Sequence, residues 1–208
     1  MGLFPPYADK ATLEYYQHLA PTFSASGKHV TNRYLHSFLE RLEPGAKILD
    51  LGCGGGLDSL EMIQLGFDPV PCDGSASVAK KAEELLGRPV SVQRFDELDA
   101  EGAYDAVWAS ASLLHVPRAY LPAILKKVHR ALRSNGLHFA SYKAGGTEGR
   151  DTTGRYFNYL SREQLEHDYE QSAPWKMLWL EEYTGGGYVE GNGQGPWIAV
   201  IMQKIEGI

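Results

Sequence analysis

The chain has only two cysteines in 208 residues, Cys53 and Cys72, and no apolar run of the ~18 residues that a membrane span requires. Two cysteines exclude a disulfide-stabilised scaffold and favour a reducing compartment. Basic residues are outnumbered, since 20 Lys and Arg face 26 Asp and Glu, which gives a net charge of −6. That balance lacks the electrostatic footprint of an avid nucleic-acid binder. We therefore expect a soluble, cytoplasmic protein with no nucleic-acid or membrane partner.

Other signatures are missing as well. Histidines and cysteines do not stand at metal-ligand spacing, so we expect no bound metal. No segment matches G-x-x-x-x-G-K-[ST], which excludes a P-loop nucleotide site. No internal repeat or linker divides the chain, and its length suits one hydrophobic core. The sequence thus predicts a single domain over residues 1–208, as a monomer or weak homodimer.

From residue 44 onward, segments typical of strands alternate with segments typical of helices, which favours a parallel sheet with helices on both faces. The predicted strands cover residues 47–51, 68–72, 90–95, 105–109, 137–142, 176–183 and 198–202. The longest helix between them is predicted from Tyr120 to Asn135-Gly136. The last two strands should form an antiparallel hairpin at one edge. The expected fold is α/β, a Rossmann-like three-layer sandwich with a mostly parallel seven-stranded sheet and an antiparallel final strand.

Two helices are predicted ahead of the sheet, within residues 1–43. Asp9 can cap the first, and apolar residues repeat at helical spacing over residues 30–42. Residues 1–27 contain several aromatic side chains and no run of charges, so they should pack on the apolar surface at the open carboxyl edge of the sheet. We therefore expect N-terminal lid helices (1–43) over a Rossmann-like core (44–208).

Glycines cluster in three loops, at residues 52–56, 145–154 and 185–195. In the predicted topology each loop follows a parallel strand, and ligands of open α/β sheets bind at that edge. The alternative for the second and third clusters is a pair of flexible surface loops.

The strongest motif is D-x-G-x-G-x-G, from Asp50 to Gly56, directly between a strand and a helix. Glycine lets the backbone turn tightly and approach a ligand, and the following helix adds unpaired N–H groups. The dinucleotide fingerprint G-x-G-x-x-G would need glycine or alanine in place of Leu57. An acid at Asp50 would repel a pyrophosphate but attract an ammonium group.

Two further acids follow the next strands. Asp73 ends the second strand, where an acid accepts hydrogen bonds from ribose hydroxyls. Asp96 follows the third strand and can accept from the exocyclic amine of adenine, with Phe95 or Leu98 against the ring. The alternatives are a helix cap or turn for Asp73 and a capped surface turn for Asp96.

The segments Asp50–Gly56 and Tyr104–Trp108, with Asp73 and Asp96, resemble the ordered motifs of class I S-adenosylmethionine-dependent methyltransferases. The resemblance spans roughly residues 44–143. The small size and the lack of a target-recognition domain resemble tellurite-resistance-like and other small-molecule enzymes of that family. The resemblance implies S-adenosylmethionine as the cofactor, a small-molecule methyl acceptor, and direct in-line displacement at the sulfonium methyl.

The resemblance also implies a set of cofactor-binding residues. They are Tyr16, Asp50, Gly52, Cys53, Gly54, Asp73, Gly74, Phe95, Asp96, Glu97, Ala109 and Ser110. Within this set, Asp50 would hold the ammonium group and Asp73 the ribose. Asp96 and Glu97 would lie at the adenine, and residues 109–110 beneath the sulfonium. The glycine turn would surround the methionine part, and the N-terminal helix would fold over the cofactor or simply pack on the core.

His115, just beyond the fourth strand, is the candidate catalytic residue because it could remove a proton from the acceptor. A histidine here can instead pack or cap a turn. Lys143, Arg150 and Arg155 could bind an anionic group of the acceptor, or they are solvated loop charges. The second half of the chain is rich in aromatic residues, which suggests an aromatic pocket for the acceptor, although aromatic residues dominate protein cores too. They are Tyr142, Tyr156, Phe157, Tyr159, Tyr183, Tyr188 and Trp197.

Two functions from other classes remain open. The chain could bind S-adenosylmethionine or S-adenosylhomocysteine without catalysis. It could also be a nicotinamide-dependent oxidoreductase, although Leu57 and the absence of a Tyr-x-x-x-Lys pair argue against that function.

Overall fold

The computed structural model describes residues 7–23, 31–186 and 193–206. Its helices are α1 (Lys10–Phe23), α2 (Leu35–Leu39), α3 (Leu57–Gln64), α4 (Ala76–Leu86), α5 (Leu121–Ala131) and α6 (Arg162–Ser172). Its strands are β1 (Lys47–Leu51), β2 (Asp68–Asp73), β3 (Ser91–Val92), β4 (Tyr104–Ala109), β5 (Leu132–Lys143), β6 (Gly149–Arg150), β7 (Tyr156–Phe157), β8 (Trp175–Gly185) and β9 (Gly195–Lys204). None of these helices is long and apolar enough to cross a membrane.

Seven strands form one sheet in the order β3-β2-β1-β4-β5-β9-β8. Neighbours from β3 to β5 pair in parallel, whereas β9 pairs antiparallel with both β5 and β8. The mostly parallel seven-stranded sheet with an antiparallel final strand is therefore confirmed. β6 and β7 pair separately as a short antiparallel ribbon. Because β1, β2, β4, β5 and β8 point the same way, their carboxyl ends share one edge.

Helices cover both faces of the sheet and make the predicted three layers. On one face, α5 fully buries Leu121, Ile124 and Val128, so the apolar stripe predicted from their spacing faces the core. On the other face, beneath α2 and α3, the ring of Trp108 stacks on that of Phe139 at 4.0 Å. Full burial of a large apolar side chain contributes roughly 1.5–3 kcal/mol, so these two layers stabilise the sheet from both sides.

Local sequence features set the ends of α1 and α4. Asp9 Oδ1 accepts from the Thr12 backbone N–H at 2.8 Å and caps α1 as predicted. Ser75 Oγ accepts from the Val78 N–H at 3.4 Å and caps α4. Gly87 ends α4 with φ of +62°, the left-handed region that favours glycine. These caps satisfy backbone groups that helix ends leave unpaired.

Two predicted elements are shorter than expected. The helix predicted over residues 30–42 is reduced to α2, because the Asn32 side chain accepts from the Tyr34 N–H and holds the preceding residues in a turn. The strand predicted over residues 90–95 is only β3, which pairs with β2 at two positions. Phe95 instead begins a 3-10 turn that ends at Glu97. Both differences come from side-chain capping that competes with the regular element.

The prediction that the long helix ends at Asn135-Gly136 was wrong, because α5 ends at Ala131 and β5 begins at the next residue. Asn135 (φ +63°) and Gly136 form a tight bend inside β5 instead. A Cβ on Gly136 would lie 3.0 Å from the Asp105 carbonyl oxygen, so this glycine serves strand packing rather than a helix end.

Candidate active site

A cavity of about 850 Å³ lies at the shared carboxyl edge of the sheet. Its walls come from the turn after β1, the end of β2, the segment after β4, and α1. Ligands of open α/β sheets bind at this edge, and the volume lies in the range of small-molecule and cofactor sites. This cavity is the candidate active site.

In the turn after β1, glycines leave the backbone without side chains at the cavity wall. Gly52 and Gly54 have φ of +82° and +56°, in the left-handed region that favours glycine. A Cβ on Gly52 would lie 2.6 Å from the Ser112 Cβ, so a side chain fits there only if something shifts. The N–H groups of Gly52 and Cys53 both donate to the Cys72 carbonyl oxygen at 2.9 Å. The turn therefore requires glycine where the motif has it.

Five carboxylates line the cavity, and two of them have cationic partners, since Asp9 pairs with Arg150 and Glu84 with Lys81. The other three have no cationic partner among the described residues. Asp50 is 2% exposed, whereas Asp58 and Asp73 are half-buried. The groups that donate hydrogen bonds to these three carboxylates are neutral. Asp50 accepts from the Ser59 hydroxyl at 2.6 Å. Asp73 accepts from the N–H groups of Gly54 (3.1 Å) and Ser75 (2.8 Å), and Asp58 accepts from the Asn32 N–H (2.9 Å) and the Trp108 indole (2.8 Å). Carboxylates that lack a counterion at a cavity wall favour a cationic ligand.

Burial changes how these acids titrate. It raises the pKa of Asp50 to about 8, and the negative charges of Asp58 and Asp73 contribute to that rise. Burial also raises the pKa of Asp73 to about 6, although the N–H groups that donate to this carboxylate oppose the rise. Asp50 is therefore mostly protonated at pH 7 until a cation binds beside it.

His115 is held in one tautomer by its two neighbours. Its Nδ1 lies 2.6 Å from the Tyr156 carbonyl oxygen, which can only accept, so Nδ1 carries the proton. Its Nε2 then accepts from the Tyr16 hydroxyl at 2.9 Å. Burial lowers the pKa of His115 to about 4, with a contribution from the positive charges of Arg155 and Lys143. At neutral pH this histidine is an uncharged proton acceptor at the cavity wall.

Arg155 connects the histidine to an ion pair. Its guanidinium donates to the Tyr16 hydroxyl oxygen at 3.3 Å and to Asp151 at 2.7 Å. The side chains of Arg155 and Asp151 are only 4% and 7% exposed. The alternative of solvated loop charges is therefore wrong for Arg155. Arg150 is exposed and pairs with Asp9 at 2.6 Å, so it is a solvated surface charge, as that alternative held.

Helix α1 lies across the cavity and is bonded to both of its sides. On one side, Gln17 Oε1 accepts from the Ser75 hydroxyl at 3.0 Å and from the Ser77 N–H at 3.2 Å. On the other side, Thr12 Oγ1 accepts from the Tyr156 N–H at 2.8 Å. These contacts hold the N-terminal helix between α4 and the segment around β7.

Most of the predicted site residues come together here. The cavity is lined by Tyr16, Asp50, Gly52, Cys53, Gly54, Asp73, Gly74, Phe95, Ser110 and His115. Ala109, Asp96 and Glu97 are not among its lining residues. Ala109 is fully buried in β4, and Asp96 forms a two-bond ion pair with Arg94, each bond 3.0 Å long. Glu97 pairs with the same guanidinium at 2.8 Å, so both carboxylates bind Arg94, which itself lines the cavity.

Sequence reasoning missed several lining residues, namely Asn32, Asp58, Arg94, Ser112 and Ser141. Asp58 looks like an ordinary acid in the first turn of a helix, where it complements the helix dipole. Asn32 donates from its side-chain amide to the Ser110 hydroxyl at 2.9 Å, across 78 positions of sequence. No local spacing marks either residue, because their roles depend on tertiary contacts.

The aromatic residues of the second half divide between cavity and core. Tyr183 and Trp197 line the cavity, with ring centroids 6.2 Å apart and nearly parallel. Tyr142 and Phe157 are buried in the core, and Tyr188 lies outside the described residues. Tyr183 and Trp197 are thus the members of the predicted aromatic set that reach the cavity in the described part of the chain.

Comparison with known proteins gives a family match over most of the chain. The model of a family described as a methyltransferase domain matches residues 18–179. An uncharacterized methyltransferase of Synechocystis sp. is 34% identical over 98 residues, which are 46% of this chain and 46% of that protein. A ubiquinone biosynthesis O-methyltransferase of Xanthomonas axonopodis pv. citri is 38% identical over 109 residues, 49% of this chain and 45% of that protein. The matched region spans less than half of the length of either relative.

A solved structure with the same fold is the 1,6-didemethyltoxoflavin-N1-methyltransferase of Burkholderia thailandensis, determined with 1,6-didemethyltoxoflavin and S-adenosylhomocysteine bound. It superposes with a TM-score of 0.69, covering 98% of this chain and 94% of that chain. The sequences are 17% identical, so the likeness is one of fold.

Proposed function

This chain belongs to the S-adenosylmethionine-dependent methyltransferases, and we propose that it transfers a methyl group to an oxygen or nitrogen atom of a small molecule. The observation that carries the proposal is the trio of Asp50, Asp58 and Asp73, which face the cavity beside the glycine turn without a cationic partner in the described residues. S-adenosylmethionine supplies an ammonium group and a methyl group on a positively charged sulfur. The O- and N1-methyltransferases among the similar proteins support the kind of acceptor atom.

The residues around the cavity suit the parts of this cofactor. The Asp50 carboxylate would accept from the ammonium group, and the backbone of Gly52, Cys53 and Gly54 would surround the methionine part. Asp73, with Gly74 beside it, would accept from the ribose hydroxyls. The Phe95 ring would lie at the adenine. Ser110 and Tyr16 would close the site around the sulfonium, with Ala109 behind them in β4. Asp96 and Glu97 would act on the adenine only through Arg94.

Catalysis by this chain is proposed to consist mainly of positioning. Because the methyl group is already activated on the sulfonium, no covalent enzyme intermediate is needed. Holding two reactants in line can contribute up to ~7–11 kcal/mol. The chain would fix the donor by its carboxylates and glycine turn, and α1 would exclude water from the acceptor side.

His115 is proposed to take a proton from the acceptor. Its Nδ1–H is committed to the Tyr156 carbonyl oxygen and its Nε2 accepts from the Tyr16 hydroxyl, so the acceptor's proton would reach Nε2 by way of that hydroxyl. The low pKa keeps Nε2 unprotonated at neutral pH but also makes it a weak base. His115 therefore suits an acceptor whose own proton is acidic.

Calorimetry tests the proposal through the proton on Asp50. Titrating S-adenosylmethionine into the protein at pH 7 should release about one proton, because the ammonium group favours the ionised carboxylate. We expect the affinity to rise with pH and to level off above the Asp50 pKa of about 8. Measurements in two buffers of different ionisation enthalpy count the protons, and the Asp50→Asn variant should release about one proton fewer.

Asp68→Asn is the matched control, because Asp68 is an exposed acid at the opposite end of β2. This variant should behave like the wild type. Equal proton release by the wild type and by Asp50→Asn would remove Asp50 from the cofactor site. Binding without methyl transfer to any of a panel of oxygen and nitrogen nucleophiles would favour a non-catalytic binding protein.

Helix α1 is proposed as a lid that tightens over the bound cofactor. Its hydrogen bonds to Ser75 and Tyr156 hold it on both sides of the cavity, and its Tyr16 lines the cavity wall. We expect the amides of residues 10–23 to gain protection from hydrogen exchange when S-adenosylmethionine is added. The amides of α6, remote from the cavity, should not change. Equal protection of α1 with and without cofactor would leave it a permanently docked structural helix.

A further inference from the structure

In the part of the chain that the structure describes, Lys143 is a cation without an anionic partner, and it lies beside the cavity without lining it. It ends β5, two residues beyond Ser141, and it is the register partner of Trp197 in β9; both of these neighbours line the cavity. The Lys143 Nζ lies 4.2 Å from the centroid of the Phe157 ring and 6.0 Å from that of Trp197. Within the described ranges it forms no salt bridge or hydrogen bond, and its side chain is half-buried.

The charges around Lys143 do not cancel its own. Asp151 pairs with Arg155 at 2.7 Å, so those two neutralise each other. His115, whose ring centroid lies 4.7 Å from that of Phe157, is uncharged at neutral pH. Within the described residues, the positive charge of Lys143 itself is thus left unbalanced. Aromatic faces stabilise a cation only in part, by ~0.5–2 kcal/mol.

Among the described residues, charges of opposite sign without a counterion therefore lie at and beside the cavity. Asp50, Asp58 and Asp73 line it at the glycine turn. Lys143 does not line it, but lies next to Trp197, which does, and its charge acts on His115. A half-buried charge without a counterion is costly, and a ligand of opposite sign relieves that cost. The carboxylates at the glycine turn suit the cationic cofactor. The neighbourhood of Lys143 has the opposite preference and favours an anionic group.

We propose that the methyl acceptor carries an anionic oxygen group, a carboxylate or a phenolate, which Lys143 holds at the His115 end of the cavity. This inference rests on the proposed function, since it concerns the second substrate of the same site. It agrees with the weakness of His115 as a base: an acceptor that binds already ionised, or is acidic enough to ionise there, demands little of the histidine. Tyr183 and Trp197 supply aromatic surface for the rest of such a molecule.

Matched anionic and neutral probes test the subsite. Benzoate and benzamide have the same ring and differ mainly in charge, and both can be titrated by calorimetry into protein saturated with S-adenosylhomocysteine. We expect benzoate to bind the wild type at least ~10-fold more tightly than benzamide. The Lys143→Met variant should lose this preference, and Lys143→Arg should retain it. Lys176→Met, at an exposed lysine near the start of β8, should bind like the wild type.

A second probe reports ionisation directly. The absorbance of 4-nitrophenol separates phenol from phenolate, so we expect the bound fraction to shift toward phenolate in the wild type and in Lys143→Arg but not in Lys143→Met. The inference is overturned if benzamide binds as tightly as benzoate, if no anionic probe binds, or if the preference survives in Lys143→Met. Binding of S-adenosylhomocysteine distinguishes a failure of this inference from a failure of the proposed function. Normal binding with no preference for the anionic probe refutes only the anionic subsite, whereas no binding by the wild type refutes the proposed function.

Discussion

Replacing Gly54 by valine should abolish S-adenosylmethionine binding, with a loss of at least about 100-fold, or roughly 2.7 kcal/mol. Gly54 lines the cavity with φ of +56°, and its N–H donates to Asp73 Oδ2 at 3.1 Å. A valine would add a branched side chain at the wall that the cofactor approaches, in a backbone region that β-branched residues avoid. Calorimetry on the folded variant measures the effect.

Gly102→Val is the control that distinguishes a side chain blocking the cofactor from the backbone strain that valine causes at a positive φ. Gly102 has φ of +54°, close to that of Gly54, and a Cβ there meets nothing within 4 Å. It lies in the turn before β4, away from the cavity. Gly102→Val should therefore be destabilised to a similar degree and still bind the cofactor. Unchanged affinity in a folded Gly54→Val protein would place the ligand elsewhere.

The second large effect is expected for Asp73→Ala, which should weaken S-adenosylmethionine binding by ~2–3 kcal/mol, or roughly 30–150-fold. The alanine removes the acceptor proposed for the ribose hydroxyls. It also removes the bonds that hold the Gly54 and Ser75 N–H groups, so the glycine turn loses a support. Both losses act on the same ligand.

Asp68→Ala on the same strand is the control for this substitution. Its carboxylate is exposed and pairs with Arg88 at 3.3 Å, where an exposed ion pair contributes little. Its affinity for S-adenosylmethionine should match that of the wild type. An Asp73→Ala protein that is folded and binds with wild-type affinity would exclude Asp73 from the site.

The sheet was predictable because each of its strands carries its own signal. The apolar runs at β1, β4 and β9 match their buried segments, and Ser75 and Gly87 mark the ends of α4 by local chemistry. The length of the edge strand β3 was overestimated, because the Glu97 carboxylate accepts from the Arg94 N–H at 2.9 Å and turns the chain after the strand into a 3-10 turn. Local pattern locates an element, while tertiary contacts set its length.

The candidate site likewise contains residues that the sequence pattern could locate and residues that depend on tertiary contacts. Asp50, Asp73 and the glycine turn follow strands directly, so the topology alone brings them to one edge. Asp96 also follows a strand, but its carboxylate is bound by Arg94, two positions away, and spacing could not reveal that pair. The contact between Tyr16 and His115 joins residues 99 positions apart. Such pairs depend on how α1 docks, which no short-range rule specifies.

The charge of the acceptor subsite was likewise undecided from sequence. Lys143, Arg150 and Arg155 look equivalent as basic residues around a glycine-rich loop. The fold gives them different partners: Arg150 binds Asp9 and Arg155 binds Asp151, whereas Lys143 rests against aromatic rings. Only the packed structure distinguishes the lysine from the two arginines.

The most direct test of the central claim is a crystal structure of the protein with S-adenosylhomocysteine. We expect the amino group to lie within hydrogen-bonding distance of the Asp50 carboxylate and the ribose hydroxyls to donate to Asp73, with the adenine against Phe95. A ligand bound outside this cavity, or one that leaves both carboxylates without contact, would show that the cofactor site is not the one proposed.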